Sequence, residues 1–311
     1  SGMVFKREIL YPGKEDTDLR KKKQWLAGYG FISLWLIGLF VFTLIPMIYS
    51  FYISLTEWDF IGTPRFIGLK NYMDIMKDST AKKALINTAY YTAVSVPLRM
   101  ILALTVALML SKPYKGSNGL RVLFYMPGII SGVAISAVWS RLFDPFYGGI
   151  NDILARFGIP GLAWLSDVHL AMPSIILMNL MYIGTPMVVF IAAIKGVPEQ
   201  MYEVALLDGA NGWQRFINIT IPMISPILFY NLIMQIIQSF QVFTNVYIMT
   251  NGGPANATMV LVLYLYQTAF QYLRMGYGSA LAWILFFIIL ILTLIVFRTS
   301  GWVYFEGKEE R

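Results

Sequence analysis

Between Arg215 and Arg274 the chain runs for 58 residues without one charged side chain. Soluble domains carry about 25% charged residues, so an uncharged stretch of this length is foreign to them. Over the whole sequence only 13% of residues are charged and 57% are hydrophobic, which makes lipid the expected solvent. About 20 apolar residues cross a bilayer as a helix, so this stretch is long enough for two crossings. Because lipid offers the backbone no hydrogen bonds, each crossing is predicted to be helical.

Because about 20 apolar residues make one crossing, the sequence predicts an all-α integral membrane fold with six transmembrane helices within residues 26–298. The cluster Asn251-Gly252-Gly253-Pro254 is expected to separate the last two spans. Pro97 interrupts the second span, and Gly184 with Pro186 is expected to bend the fourth. The predicted spans lie at about 26–51, 84–110, 122–140, 170–194, 222–250 and 278–297.

The basic residues indicate how these helices are oriented. The amino-terminal tail, the loops 111–121 and 195–215, and the carboxyl-terminal tail hold 15 Lys and Arg, whereas the opposite loops hold 8. Basic residues collect on the cytoplasmic side, so residues 1–25 and 299–311 are predicted to be cytoplasmic tails. Ser1 and Gly2, ahead of Met3, are interpreted as a remnant of cloning. The formal charge of +7 is therefore assigned to membrane orientation, and no nucleic-acid partner is predicted.

The longest predicted cytoplasmic loop, residues 195–221, has helix signals of its own. Pro198 suits a first helical position, and Gly209 can end a helix in the left-handed conformation. A short helix outside the bilayer is therefore predicted over about 198–208. A second helical piece, at about 213–219, is expected before Pro222 opens the fifth span.

This loop also carries a recognisable spacing. Three residues separate Ala205, which lies two positions after Glu203, from Gly209. Nine residues separate Gly209 from Ile219, and Pro222 lies three positions after Ile219. In these residues the chain resembles the EAA loop of ABC importer permeases. Further segments resemble the carbohydrate branch of that family, of the maltose and glycerol-phosphate type, and the resemblance covers roughly residues 25–300. These segments are Phe66–Tyr72, Asn87-Thr88, Tyr125–Pro127, Asn251–Pro254 and Gly276–Gly278.

The resemblance implies a type I, MetI-like permease in the bacterial cytoplasmic membrane. It implies an ATP-driven import of a sugar or oligosaccharide in which two permease subunits form the pathway. An extracytoplasmic solute-binding protein delivers the substrate, and two copies of a cytoplasmic ATPase bind the EAA helices. The residues expected to couple this chain to the ATPase are Glu203, Ala205, Asp208, Gly209, Ile219 and Pro222.

The chain itself is predicted not to be an enzyme. It contains no Gly-x-x-x-x-Gly-Lys-Ser/Thr loop to hold nucleotide phosphates, so ATP and magnesium are expected on the partner ATPase and no cofactor on this chain. It has no cysteine and a single histidine, His169, so no metal site is predicted either. An alternative class is an ion-coupled secondary carrier of a neutral solute. Such carriers need coupling-ion sites, and no paired intramembrane carboxylates are evident in the sequence.

Polar residues in the fourth and fifth spans are candidates for the substrate pathway. If the fifth span is one continuous helix, its five amides share an arc of about 120°. Such a stripe should face protein or water rather than lipid. Neutral amides can bond to sugar hydroxyls, which favours a substrate pathway. The same amides could instead contact the partner permease, and this alternative is open. Arg99, the single charge inside a span, is expected to reach the interface or a helix partner rather than an anionic group. The candidate pathway residues are Asn179, Tyr182, Thr185, Asn231, Gln235, Gln238, Gln241 and Asn245.

Overall fold

The computed structural model describes residues 25, 28–30, 32–112 and 114–303. Most of the two predicted tails therefore lies outside the described residues. The chain divides into two compact units, Ser1–Ile53 and Ser54–Arg311. The first candidate membrane span is Gly28–Ser54, in which a π-helical turn, Phe40–Leu44, leads into helix α1, Ile45–Ser54.

The second unit is helical, with one two-stranded antiparallel hairpin, β1 (Thr56–Glu57) and β2 (Arg65–Phe66). Short 3-10 turns cover Met126–Gly128 and Ser300–Trp302, and π-helical turns cover Phe216–Thr220 and Gln267–Gln271. In chain order the helices are α2 (Lys70–Lys77), α3 (Ser79–Ser111), α4 (Ser117–Tyr125), α5 (Gly132–Leu142), α6 (Gly149–Arg156), α7 (Ala171–Asn179), α8 (Gly184–Gly196), α9 (Glu199–Leu207), α10 (Gly212–Arg215), α11 (Ile221–Phe240), α12 (Thr244–Met249), α13 (Leu261–Tyr266) and α14 (Met275–Arg298).

Within the described residues, four helices are long and apolar enough to span a membrane, and the number rises to six if each of two bent helix pairs is one span. The long spans are Gly28–Ser54, α3, Gly212–Met249 and α14. One bent pair joins α7 to α8 at 44°, as the glycine and proline of the fourth span predicted. The expected all-α membrane fold with six crossings agrees with this set of helices.

Three local expectations were wrong. The third predicted span consists of two helices at 96° to each other, which are α4 with its 3-10 turn and α5. The helix is interrupted because Pro127 cannot donate a helical hydrogen bond and residues 129–131 leave the helix. The second span continues through Pro97, which lies inside α3. The fifth span is interrupted at residues 241–243, between α11 and α12.

The core around α3 depends on small side chains. Ala103 and Ala107 of α3 are fully buried against Met187 and Phe190 of α8. Their spacing of four residues places both on one face of the helix. Small residues on a helix face let two backbones approach closely, and so α3 packs along α8 and α11.

Two asparagine side chains join segments that are distant in sequence. The Asn71 amide donates to the carbonyl oxygens of Ser54, at 2.9 Å, and Thr56, at 2.8 Å. The Asn87 amide donates to the carbonyl oxygens of Asn256 and Met259, both at 2.9 Å. These bonds fasten α2 to the hairpin and α3 to the loop that follows α12.

Asp78 fastens the amino-terminal end of α3 to two later helices. One carboxylate oxygen accepts from the backbone N–H of Thr80 at 2.8 Å and of Ala81 at 3.3 Å. The other accepts from the hydroxyls of Tyr264 at 2.5 Å and Tyr277 at 2.6 Å. Burial alone raises the pKa of Asp78, but the bonds from the two tyrosines and the two amides outweigh it and hold the pKa below its usual value.

Loss of this carboxylate is expected to destabilise the fold. Asp78→Ala removes the helix cap and both tyrosine bonds, so the expected loss is about 2 kcal/mol of unfolding free energy. Asp78→Asn keeps an oxygen for the cap and should lose less. Because the folded-state pKa is lowered, the stabilisation is present at neutral pH and disappears as the pH falls below about 4.

Thermal unfolding of the detergent-solubilised protein at pH 7 and at acid pH measures both effects. The control is Asp152→Asn, at an exposed carboxylate in the first turn of α6. Equal unfolding temperatures for Asp78→Ala and this control at pH 7 would contradict the assigned role.

Candidate functional site

A cavity of about 530 Å³ lies among α3, α7, α8, α11 and α12. Its apolar part includes Phe243 and Met234. Among the described residues that line it, one is charged and the other polar ones are neutral hydrogen-bonding groups. The polar lining residues include Tyr91, Arg99, Asn179, Tyr182, Thr185, Asn231, Gln235, Gln238, Ser239, Thr244 and Asn245.

Seven of the eight candidate pathway residues line this cavity, and Gln241 does not. The arc calculated from the sequence assumed one helix through Asn245, whereas α11 ends at Phe240. There the backbone N–H of Gln241 bonds to the carbonyl of Gln238 at 3.2 Å, the shorter i to i−3 pattern that closes a helix. Asn245 reaches the cavity from α12 instead. Residues 241–243 contain neither glycine nor proline, so the sequence carried no signal of this break.

Some of the lining amides already have partners on this chain. The Asn245 amide donates to the Asn179 side-chain oxygen at 3.4 Å, and the Ser136 hydroxyl donates to the Asn245 oxygen at 3.0 Å. The Asn231 amide donates to the Ile227 carbonyl oxygen at 3.0 Å. These bonds hold α5, α7 and α12 together at one wall of the cavity, so Asn179 and Asn245 contribute to packing as well as to the polar surface.

Other lining groups are buried without a partner among the described residues. Gln235 is 2% exposed, and both atoms of its amide lack a hydrogen bond. The Tyr182 hydroxyl and Arg99 Nε are likewise buried and unpaired. Buried polar groups are nearly always satisfied, so three unpaired groups around one cavity leave hydrogen-bonding capacity for a ligand or for water. Arg99 was not predicted to lie here, although a single charge inside a span was a signal of function.

A close backbone contact fixes the bend between α7 and α8 beside the cavity. A Cβ atom on Gly184 would lie 2.5 Å from the Phe124 carbonyl oxygen and 2.6 Å from the Tyr125 Cα. Only glycine fits at this distance, so the start of α8 rests directly on the end of α4. Tyr182 and Thr185, on either side of Gly184, both line the cavity.

The predicted loop helix is present as α9, and its carboxyl end has the predicted geometry. Gly209 has a φ of +76°, in the left-handed region that favours glycine. Its N–H donates to Leu206 at 3.0 Å, and the N–H of Ala210 donates to Ala205 at 2.8 Å. This pair of bonds is the Schellman motif, which ends a helix and turns the chain sharply. Pro198 precedes the first helical residue as the N-cap, one position before its predicted place.

The candidate coupling residues lie along this exposed loop. Glu203, Asp208 and Gly209 are exposed, and Ala205, Ile219 and Pro222 are partly buried. The most exposed apolar side chains of α9 are Leu207, at 89%, Val204, at 58%, and Leu206, at 54%. An apolar surface of this kind on a helix outside the core marks a site of protein contact.

The second helical piece of the loop differs from its prediction. Instead of ending before Pro222, α10 and the π-helical turn that follows run directly into α11. Asn211 caps α10 reciprocally with Gln214, through bonds of 2.8 and 2.9 Å. The Tyr202 hydroxyl of α9 meets the Thr220 hydroxyl at 2.9 Å. The unbroken helical path into the helix that carries Gln235 and Gln238 therefore begins at α10, and α9 is connected to it by the turn at residues 208–211 and by this hydrogen bond.

Several membrane-spanning helices, a polar cavity among them and an exposed apolar helix at one end together define a membrane transport subunit. The family described as "Binding-protein-dependent transport system inner membrane component" matches residues 76–304. The chain belongs to this family. It is thus a multi-pass membrane protein and a transporter subunit rather than an enzyme.

Individual relatives match over nearly the whole chain. "Probable ABC transporter permease protein YesP" of Bacillus subtilis is 41% identical over 303 residues, which cover 96% of this chain and 97% of the relative. "Probable starch degradation products transport system permease protein AmyD" of Thermoanaerobacterium thermosulfurigenes is 32% identical over 281 residues, 90% of this chain and 94% of the relative. A bacterial alginate ABC transporter, solved in complex with an alginate-bound periplasmic protein, shares the fold with a TM-score of 0.78 at 23% identity, covering 90% of this chain and 95% of that one.

Proposed function

We propose that this chain forms half of the translocation pathway of an ATP-driven importer for a sugar or oligosaccharide. The observation that carries the proposal is the cavity, whose polar lining groups, apart from Arg99, are neutral amides and hydroxyls. Such groups both donate and accept, as sugar hydroxyls do. Phe243 adds a flat apolar surface suited to the face of a sugar ring. The relative AmyD is described as transporting starch degradation products, which supports the same class of substrate.

The other half of the pathway belongs to a second permease subunit. Two copies of a cytoplasmic ATPase bind ATP and magnesium, and the α9 loop of this chain couples to one of them through Glu203, Ala205, Asp208 and Gly209. The exposed apolar side chains of α9 support a protein partner at this place. The helical path from α10 into α11, together with the hydrogen bond between Tyr202 of α9 and Thr220, supports transmission of movement from the ATPase to the cavity.

Both termini and the α9 loop face the cytoplasm of a bacterial cell, by the distribution of Lys and Arg. The loops 57–83, 141–169 and 251–277 then face the opposite side, where an extracytoplasmic solute-binding protein docks. The cavity opens to these loops when the importer accepts substrate and to the cytoplasm when it releases it.

Reconstitution of the complete importer tests this function. The chain, the second permease, the ATPase and the solute-binding protein are incorporated into proteoliposomes, and a panel of carbohydrates is screened. We expect at least one carbohydrate to be taken up and to stimulate ATP hydrolysis only when the binding protein is present. The control is this chain alone under an ion gradient, which should take up nothing. Uptake by the chain alone would instead support the ion-coupled carrier.

A further inference from the structure

Arg99 places a positive charge in the candidate cavity. It lies on α3, lines the cavity and is only 8% exposed. It forms no ion pair within the described part of the chain, and its Nε has no hydrogen-bond partner there. The helix partner expected for Arg99 is therefore not supplied by a carboxylate of the described part of this chain.

No group on this chain's cavity wall balances the charge. A guanidinium keeps its proton in proteins, and the described lining residues include neither Asp nor Glu. A charge held among membrane helices costs about 2.5–3.5 kcal/mol even on the lowest scales. A cavity with one uncompensated cation attracts anions and repels cations.

Two other unpaired groups of the same cavity complete a site for an acidic sugar. The planar guanidinium can bind both oxygens of a carboxylate at once. Gln235, with both amide atoms unpaired, and Tyr182, with its hydroxyl unpaired, line the same cavity and can bond to neighbouring hydroxyls. The cavity, at about 530 Å³, falls within the range of small-molecule sites.

We propose that this cavity selects saccharides that carry a carboxylate, and that Arg99 binds the carboxylate. This inference rests on the proposed function, because it names the substrate class of the same pathway. A carboxylate of the second permease is the rival partner for Arg99. The burial of Arg99 favours the substrate, since 8% exposure leaves it inside this chain's own helices rather than on a surface that another subunit covers.

The test compares disaccharides that differ only at carbon 6. The probes are digalacturonate, diglucuronate and dimannuronate, each against its neutral counterpart built from galactose, glucose or mannose. Binding is measured by calorimetry on the detergent-solubilised complex of both permeases and the ATPase, without the binding protein, whose own selectivity then plays no part. We expect at least one uronate to bind about tenfold more tightly than its neutral counterpart, and this preference to shrink at high salt.

Two variants of Arg99 test whether this residue causes the preference for uronates. Arg99→Gln should lower the ratio of uronate to neutral affinity by about tenfold, and Arg99→Lys should retain part of it because the charge remains. Co-purification of the second permease is measured for both. A wild-type complex without preference for any uronate, or an unchanged ratio in Arg99→Gln, would overturn the inference. So would loss of the second permease from both variants, which would identify Arg99 as a subunit contact. If the importer takes up neutral sugars only, the proposed function stands and this inference alone fails.

Discussion

Gly209→Val is expected to reduce capture of the ATPase strongly while the permease still inserts into the membrane. Gly209 has a φ of +76°, which a β-branched residue adopts only at a large cost, so the valine variant should lose the sharp turn after α9. With the turn lost, the exposed apolar side chains and Glu203 no longer face one partner together. Co-purified ATPase and sugar-stimulated ATP hydrolysis should both fall by at least about tenfold, which corresponds to about 1.4 kcal/mol of binding free energy.

Two variants of the same loop serve as controls for this result. Gly209→Asn should retain most of the activity, because asparagine tolerates the left-handed conformation. Gly212→Ala should behave as the wild type, since Gly212 has no positive φ and a Cβ atom there meets nothing within 4 Å. A valine variant that captures the ATPase as well as Gly212→Ala does would refute the coupling role of the turn. Membrane insertion, measured in the membrane fraction, should be equal in all three.

The turn at Gly209 was predictable because its cause is local. A proline, a run of helix-forming residues and a glycine at the right spacing determine where α9 begins and ends to within one residue. The number of spans was equally accessible, because the length of an apolar run measures the bilayer directly. The lengths of apolar runs and the residues at helix ends thus predicted the fold class and the loop helix without reference to tertiary contacts.

The break between α11 and α12 was not predictable, because its cause is tertiary. Residues 241–243 are ordinary helix-compatible residues, yet Asn245 bonds to both Asn179 and Ser136, on two other helices. These contacts hold α12 against α5 and α7. The polar stripe calculated on an ideal helix therefore contained four residues that line the cavity and a fifth, Gln241, that does not.

The segments that resembled known permeases have a structural role that the sequence did not reveal. Asn87 and the loop that contains Asn256 are separated by 169 positions, yet they are joined by a hydrogen bond of 2.9 Å. Asn71 and Tyr277, from two other such segments, fasten the hairpin and Asp78. Single-sequence reasoning detects such residues only as a pattern, because their partners are remote in the chain.

The difference between Gln238 and Gln241 allows the pathway assignment to be tested. Both are exposed glutamines in the isolated chain, three residues apart, but only Gln238 lines the cavity. Gln238→Ala removes a side chain able to make two hydrogen bonds to a sugar, each contributing about 0.5–1.5 kcal/mol. Uptake of the sugar at low concentration should therefore fall about tenfold, whereas Gln241→Ala should stay within about twofold of the wild type.

The yield of the assembled complex, measured in the same experiment, shows whether Gln238 acts in transport or in packing between the two permeases. If Gln238 lines the pathway, the alanine variant assembles with the second permease in normal amounts and fails only in sugar uptake. If Gln238 instead joins the two permeases, assembly falls together with uptake, because an amide between membrane helices contributes to their association. Equal losses of uptake for Gln238→Ala and Gln241→Ala would support the continuous polar stripe over the cavity, since the two residues share only that stripe. The pair therefore tests the break in the fifth span and the position of the pathway together.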